Sequence, residues 1–149
     1  MSGRRCKTPV KGPLPFGAWV NIYEARDESR FELDDREELT FDREHGFFTW
    51  LYDFEKNYLL IPKMCGDGRY WRPRILSMVR KLRGSHGCIG AYCVTKRDPR
   101  VYMRVLGGEL VKQERENEKT YSYILVTPEN TRVKEGTTSG KQIEIVSSS

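Results

Sequence analysis

The chain has 149 residues, the length of one domain with an ordinary core, and 38% of its residues are hydrophobic against 32% charged. This balance is typical of a soluble globular protein, and no apolar run approaches the roughly 18 residues that span a bilayer. The basic N-terminus lacks the apolar segment of a secretory signal. Four cysteines are too few for a small disulfide scaffold, so we expect a reducing, cytoplasmic setting.

The formal net charge of +5 conceals two regions of opposite sign. Residues 24–55 contain twelve acidic and four basic residues, whereas residues 69–104 contain ten basic residues and one acidic residue. A protein that only coats nucleic acid rarely carries such an acidic block. We therefore expect one domain with an acidic sheet region and a basic cleft.

The two ends of the chain differ from its middle. Residues 1–15 hold three prolines and two glycines among basic residues, which predicts a flexible N-terminal arm. The stretch 128–149 is rich in Ser, Thr, Gly and Lys, which predicts a disordered polar tail. The folded domain is therefore predicted to span residues 16–127.

The first half of this domain contains aromatic and β-branched runs that favour strands. A short strand is predicted for Ala18–Tyr23, whereas the periodicity of residues 26–44 does not decide between a charged helix and a polar strand pair. Residues 46–52 (GFFTWLY) and 58–64 (YLLIPKM) predict a hairpin across the turn DFEKN. Pro62, near the end of the return strand, predicts a bulge or a splayed edge there.

In the second half, helix signals alternate with strand signals. Pro73 suits a first helical turn, and apolar residues at helical spacing follow it. A strand is predicted for residues 88–95, and a short helix for Asp98–Leu106. A closing hairpin comprises residues 109–113 and 120–127. These elements predict an α/β (α+β) domain with a single mixed, mostly antiparallel sheet flanked by helices.

A strand that leads into a glycine-containing loop and a basic helix can bind an anion. The sequence NYLLIPKMCGDGRYWRPR, from Asn57 to Arg74, has this order. Backbone N–H groups and the positive end of the helix dipole then point toward the same place. The stretch predicts a polyanionic ligand, either a phosphate-bearing cofactor or a nucleic acid.

The order of these elements, with those residues, resembles the C-terminal two thirds of the GCN5-related N-acetyltransferase (GNAT) family, and most of all its short, divergent bacteriophage members. The resemblance covers residues 45–127 and includes Leu106-Gly107-Gly108, similar to the family's Leu-Gly-Phe at the end of the fourth helix. It implies a GNAT-like acyl-CoA N-acyltransferase fold and direct transfer of an acetyl group from acetyl-CoA to an amine acceptor. A viral chain would act in the host cytoplasm, and the resemblance leaves the acceptor open.

The same resemblance implies a pyrophosphate-binding loop where the strand meets the helix. Its cofactor-binding residues would be Met64, Cys65, Gly66, Gly68, Arg69, Tyr70, Trp71 and Arg72. Both glycines stand earlier than in the family pattern, and bulky residues replace small ones. Asp67 in this loop opposes an anion. An ordinary strand–helix connection with solvated arginines is the alternative.

Catalytic roles also follow from the resemblance. Tyr102 lies one residue from the position of the family's general-acid tyrosine, which implies that it donates a proton to the cofactor sulfur. Glu44 and His45, just before the first hairpin strand, are candidates for the base that takes the proton of the amine. The alternatives are a tyrosine packed on its helix and an ordinary charged hairpin edge.

The residues alone also allow two functions other than acyl transfer. Trp71 beside Tyr70 and two arginines would suit stacking of a nucleic-acid base. The basic stripe would then belong to a nucleic-acid-binding or nucleobase-modifying phage protein without acetyltransferase activity. A degenerate fold kept as an interaction module is the third reading.

The potential zinc ligands are one histidine and three cysteines: His86, Cys88, Cys93 and Cys65. Their spacing lacks the paired CxxC motifs of a zinc site. The cysteines stand among apolar residues, so buried thiols are predicted and no metal is expected.

Overall fold

The computed structural model describes residues 11–129, and the predictions for residues 1–10 and 130–149 lie outside this range. Its helices are α1 (Phe16–Asp27), α2 (Gly68–His86) and α3 (Pro99–Leu106). Its strands are β1 (Glu38–Asp42), β2 (Gly46–Asp53), β3 (Tyr58–Ile61), β4 (Met64–Gly66), β5 (Ala91–Thr95), β6 (Glu109–Glu116) and β7 (Lys119–Val126). None of these helices combines the length and apolar character that crossing a bilayer requires.

The described strands form one open sheet in the order β1-β2-β3-β5-β7-β6, and β4 also pairs with β2. Among them β3 and β5 run parallel, and every other pair is antiparallel. The prediction of a single mixed, mostly antiparallel sheet is therefore confirmed. The predicted hairpins are also present, β2 with β3 and β6 with β7.

The two faces of the sheet carry different helices, as two neighbouring residues of β2 show. Phe47 is buried with Trp19 and Tyr23 of α1. Phe48 is buried with α2 and α3, and its ring centroid lies 5.1 Å from that of Trp71. Successive side chains of a strand point to opposite faces, so α1 covers one face while α2 and α3 cover the other.

The centre of the sheet opens at Pro62, where a bulge or splayed edge was predicted. β3 pairs with β5 only from Leu59 to Ile61, opposite Ala91 to Cys93. After Pro62 the chain continues as β4 along β2, while the rest of β5 stays paired with β7. Proline has no N–H to donate, which suits it to this interruption. The two parallel strands therefore separate beyond Ile61 and Cys93.

The strand predicted for Ala18–Tyr23 is wrong, because this stretch lies within helix α1. Its buried side chains, Trp19 and Tyr23, are four residues apart. Residues at this spacing share a face in a helix and in a strand, so the pattern fits both. Packing against Phe47 decides for the helix, with Phe16 and Phe31 in the same aromatic cluster. Beyond α1, residues 28–37 are irregular and β1 follows them.

Helix α2 begins earlier than the sequence predicts. Asp67 is its N-cap, and Pro73 lies inside the helix instead of in its first turn. The cap satisfies backbone donors that would otherwise have no partner, which allows the helix to start at Gly68. Cys65 and Gly66, predicted in the loop, belong to β4 and pair with β2. The predicted start of α3 is confirmed, since Asp98 caps that helix.

Candidate functional site

The sheet opening contains a cavity of about 120 Å³, here called the sheet-opening cavity. Helices on both faces of the sheet and strand β4 supply its walls. They contribute Tyr23, Arg26 and Asp27 from α1, Met64, Cys65 and Gly66 from β4, Val101, Tyr102 and Val105 from α3, and Arg97. The cavity therefore passes through the sheet at the place where β4 and β5 have parted.

A second cavity of about 160 Å³ lies beside the first and is here called the Lys96 cavity. It is lined by Tyr23, Asp27, Ser29, Arg30, Pro62, Lys63, Val94, Thr95, Lys96 and Tyr121. Tyr23 and Asp27 line both cavities. These two side chains of α1 therefore stand at the boundary between the two spaces.

Tyr102 lies in the sheet-opening cavity, on the buried face of α3. The residue is 9% exposed, and its hydroxyl has no hydrogen bond to another described residue. Burial, with the nearby charge of Asp27, raises the pKa of Tyr102 well above its ordinary value. The phenol is therefore neutral at physiological pH and can donate a hydrogen bond into the cavity.

Asp27 is the last residue of α1 and was not singled out by the sequence, where it is one of many acids. Burial raises the pKa of its carboxyl group, and Lys96 and Arg97 nearby offset part of that rise. Tyr23, one helical turn earlier, has its pKa raised by burial and interacts with Ser29. Only the position of α1 across the sheet opening brings these groups to the cavity, so no local sequence signal could reveal them.

Lys96 follows β5 and places a cation in the second cavity. Its Nζ donates a hydrogen bond to Ser29 Oγ at 2.7 Å and lies 5.8 Å from the ring centroid of Tyr121. It forms no ion pair with a carboxylate in the described part of the chain. Burial lowers the pKa of Lys96, although Asp27 acts in the opposite direction. The neighbouring Lys63 differs, because its Nζ lies 2.7 Å from the buried carboxylate of Glu37.

The start of α2 is occupied by the side chain of its own cap. The Asp67 carboxylate accepts hydrogen bonds from the backbone N–H groups of Arg69 at 3.1 Å and Tyr70 at 3.3 Å. These are the donors that an anion at a helix N-terminus would use. Arg69 is exposed and Arg72 is half-buried. Charged side chains therefore lie at a helix end where the Asp67 carboxylate already occupies two of the first backbone donors.

The two predicted cofactor glycines allow close packing. A Cβ on Gly66 would lie 2.1 Å from the carbonyl oxygen of His45, and one on the facing Gly46 would lie 2.0 Å from that of Cys65. A Cβ on Gly68 would lie 2.8 Å from a methyl group of Val105. Close approach of β2 to β4, and of α2 to α3, therefore explains both glycines without a ligand.

The aromatic residues of the loop pack within the protein. Trp71 is fully buried, and its Nε1 donates to the backbone oxygen of His45 at 3.2 Å. Tyr70 stacks on the His45 ring at 3.5 Å, and its hydroxyl donates to Asp42 at 3.3 Å. Trp71 therefore offers no exposed surface on which a nucleic-acid base could stack.

Glu44 and His45 lie in the turn between β1 and β2. His45 Nδ1 is 3.1 Å from Asp42 Oδ1, and Glu44 is exposed. A hydrogen bond from the Glu44 N–H, followed by those from His45 and Tyr70, lowers the pKa of Asp42. Neither Glu44 nor His45 lines either of the two cavities. The structure thus does not bring these two candidate bases to Tyr102.

The cysteines at 65, 88 and 93 are free and buried, as predicted, and His86 is exposed. Burial raises the pKa of Cys65 to about 11 and that of Cys93 to about 12. Both are therefore thiols at physiological pH. Among residues 11–129, no group of three or more His, Cys, Asp or Glu side chains is arranged to hold a metal ion.

Neither a protein-family model nor a curated protein sequence matches this chain.

Proposed function

We propose that this protein is an acyl-CoA-dependent N-acyltransferase with a GNAT-like fold. Acetyl-CoA is the cosubstrate, and the acetyl group passes directly to an amine. One observation carries the proposal: β3 and β5 separate after Ile61 and Cys93, and buried Tyr102, whose hydroxyl has no hydrogen bond among residues 11–129, lines the opening. An extended thioester-bearing arm that entered there would meet a hydrogen-bond donor in a site with little water.

The backbone around the opening also supports this proposal. Met64, Cys65 and Gly66 pair with β2 along one edge, and no described strand pairs with their other edge. Val94 and Thr95 likewise pair with β7 and have no described strand on the side of the opening. Extended ligands bind such free edges through main-chain hydrogen bonds. The amide groups of a pantetheine arm have the donors and acceptors to do so.

The diphosphate would lie at the start of α2, near Arg69 and Arg72. Because the Asp67 carboxylate accepts the N–H groups of Arg69 and Tyr70, the arginine side chains would supply most of the attraction. The carboxylate of Asp67 would weaken it by repulsion. A modest affinity for acetyl-CoA is therefore expected.

The chemistry requires no nucleophile from the protein. The amine nitrogen attacks the thioester carbonyl, the C–S bond breaks, and Tyr102 donates a hydrogen bond to the departing sulfur. Cys65 also lines this cavity, but its raised pKa keeps it as a thiol, which is a poor nucleophile. Direct transfer accordingly fits the groups present better than an acyl-enzyme intermediate.

Calorimetric titration with acetyl-CoA, and with desulfo-CoA as a comparison that lacks the thioester sulfur, tests this function. Binding should weaken strongly in the double variant Arg69→Ala, Arg72→Ala. Arg80→Ala is the matched control, because this exposed arginine lies about 16 Å along α2 from Arg69. Absence of heat with both ligands would refute the proposal.

Nucleic-acid binding is the second candidate function, and the exposed bases Arg74, Arg80 and Lys81 of α2 favour it. It predicts that a short oligonucleotide binds with a steep dependence on salt concentration. In that case Arg80→Ala with Lys81→Ala would weaken oligonucleotide binding and leave acetyl-CoA binding intact. A folded protein that binds neither ligand would instead be an interaction module.

A further inference from the structure

We infer that the Lys96 cavity receives the acceptor amine, that the acceptor carries an anionic group bound by Lys96, and that Asp27 takes the proton which the amine loses. This inference rests on the proposed acyltransfer and assigns its second substrate. The cavity is lined by three cations and one carboxylate, which favours an anionic over a cationic acceptor.

The shared boundary between the two cavities supports this placement. Tyr23 and Asp27 line both spaces, so a molecule in the Lys96 cavity approaches the sheet-opening cavity at these side chains. If the thioester lies beside Tyr102, the nucleophile must arrive from a neighbouring space. The Lys96 cavity is such a space, and a carboxylate already stands where the two substrates would meet.

The charges of the Lys96 cavity indicate what kind of molecule it takes. Lys63 is neutralised by Glu37, but among the described residues Lys96 has only the neutral Ser29 hydroxyl as a hydrogen-bond partner. Asp27 is the nearby opposite charge, yet it forms no ion pair with Lys96, and burial is still the larger effect on the pKa of Lys96. An anionic ligand in direct contact with Lys96 would offset that cost of burial. The volume of about 160 Å³ is close to the roughly 150 Å³ that accommodates a benzene molecule, so the reactive end of the acceptor holds about six carbons.

The reaction then balances as follows. The neutral amine nitrogen forms a bond to the carbonyl carbon, and the bond between that carbon and sulfur breaks. The nitrogen proton passes to the Asp27 carboxylate and from there to solvent. The sulfur leaves as a thiolate, accepts a hydrogen bond from Tyr102, and gains a proton from solvent on release. The products are the N-acetylated acceptor and free CoA.

Asp27 can act as a base only when it is ionised. The charged and titratable groups around it come from every packed element: Arg26 and Tyr23 of α1, Lys96 and Arg97 after β5, Tyr102 of α3, Lys119 of β7 and Cys65 of β4. Its burial and these cations act in opposite directions, and burial is the larger effect. The rate should therefore rise with pH as this carboxyl group loses its proton.

Three amines with six carbons each test the inference: 6-aminohexanoate, hexylamine and 1,6-diaminohexane. Release of CoA thiol from acetyl-CoA gives kcat/KM for each, after calorimetry has shown that acetyl-CoA binds. We expect 6-aminohexanoate to exceed 1,6-diaminohexane by about tenfold, with hexylamine between them. The variant Lys96→Gln keeps a hydrogen-bonding group for Ser29 and should abolish this order. Lys56→Met, at an exposed turn, should preserve it.

Asp27→Asn should lower kcat for 6-aminohexanoate about 100-fold and remove the part of the acidic-side pH dependence that comes from Asp27, leaving the part that comes from deprotonation of the amine itself, while acetyl-CoA binding is unchanged. The exposed neighbour Glu28→Gln is its control and should behave as the parent protein. Preference for the diamine, acetylation of none of the three amines, or full kcat in Asp27→Asn would overturn the inference while acetyl-CoA binding stood. Failure to bind acetyl-CoA at all would instead remove the proposed function.

Discussion

Asp27 and Tyr102 line the same cavity, although α1 and α3 lie on opposite faces of the sheet. They approach each other because β3 and β5 stop pairing after Ile61 and Cys93, so no strand within residues 11–129 separates the two faces there. A ligand in this opening would contact both helices at once. Substitutions on either helix can therefore distinguish the contribution of each face.

Tyr102→Phe removes the hydroxyl and retains the ring. Because this hydroxyl is buried without a hydrogen-bond partner among the described residues, we expect the melting temperature to stay the same or rise. In acetyl transfer, kcat should fall about 100-fold while KM for acetyl-CoA stays nearly constant. Equal kcat values for the variant and the parent protein would assign Tyr102 to packing alone.

Val101→Trp should block the sheet-opening cavity from its rim. Val101 lines this cavity and is 37% exposed, so a larger side chain there can extend over the opening without disturbing the core. We expect calorimetry to show at least tenfold weaker acetyl-CoA binding, with a change in unfolding free energy within about 0.5 kcal/mol. Val101→Ala controls for loss of the valine itself. Unchanged affinity in the tryptophan variant would place the ligand elsewhere.

The sequence predicted those parts of the fold that have local signals. The Asp98 cap fixed the start of α3, and Pro62 indicated the place where the central strands separate. The helix α1 was missed because Trp19 and Tyr23 have a spacing that fits a strand equally well, and only contact with Phe47 decides between them. Tertiary packing of this kind cannot be predicted from a short stretch of sequence.

Of the residues that line the two cavities, the sequence pointed to Tyr102 through its place beside the general-acid tyrosine of the resembled family. Asp27 and Lys96 had no such signal, because they meet only when α1 crosses the sheet opening. The loop glycines suggested a phosphate site, but their positions are explained by neighbouring backbone and by Val105. The sequence alone could not show whether Asp67 caps helix α2 or repels a bound anion, because the same carboxylate can do both.

The variant Asp67→Asn separates the capping role of this side chain from the effect of its charge. Asparagine can still accept the N–H bonds of Arg69 and Tyr70, so α2 should keep its cap, while the negative charge is lost. We expect calorimetry to show about two- to fivefold tighter acetyl-CoA binding, since a charge at a helix end contributes about 0.3–1 kcal/mol. Asp67→Ala, which removes the cap, should cost about 1 kcal/mol of stability. Weaker binding by the asparagine variant would contradict a diphosphate at this turn.

Asp27→Asn should stabilise the fold at neutral pH. Burial raises the pKa of Asp27, so this group favours folding below its unfolded-state pKa, and that contribution is lost as the pH rises through the folded-state pKa. The asparagine variant should therefore melt at a higher temperature than the parent at about pH 7, with the difference vanishing below about pH 3. Glu28→Gln should show no such gain. A lower melting temperature at neutral pH would mean that Lys96 and Arg97 outweigh the cost of burial.

The facing glycines Gly46 and Gly66 determine where the sheet can open. Any other residue at either position would place a Cβ about 2 Å from a carbonyl oxygen across the pair. A side chain at either position would overlap the backbone of the partner strand, so the observed alignment of β4 with β2 requires both glycines. These glycines thus help to hold β4 in its position beside the gap that separates it from β5. The walls of the proposed site therefore depend on two residues that contribute no side chain.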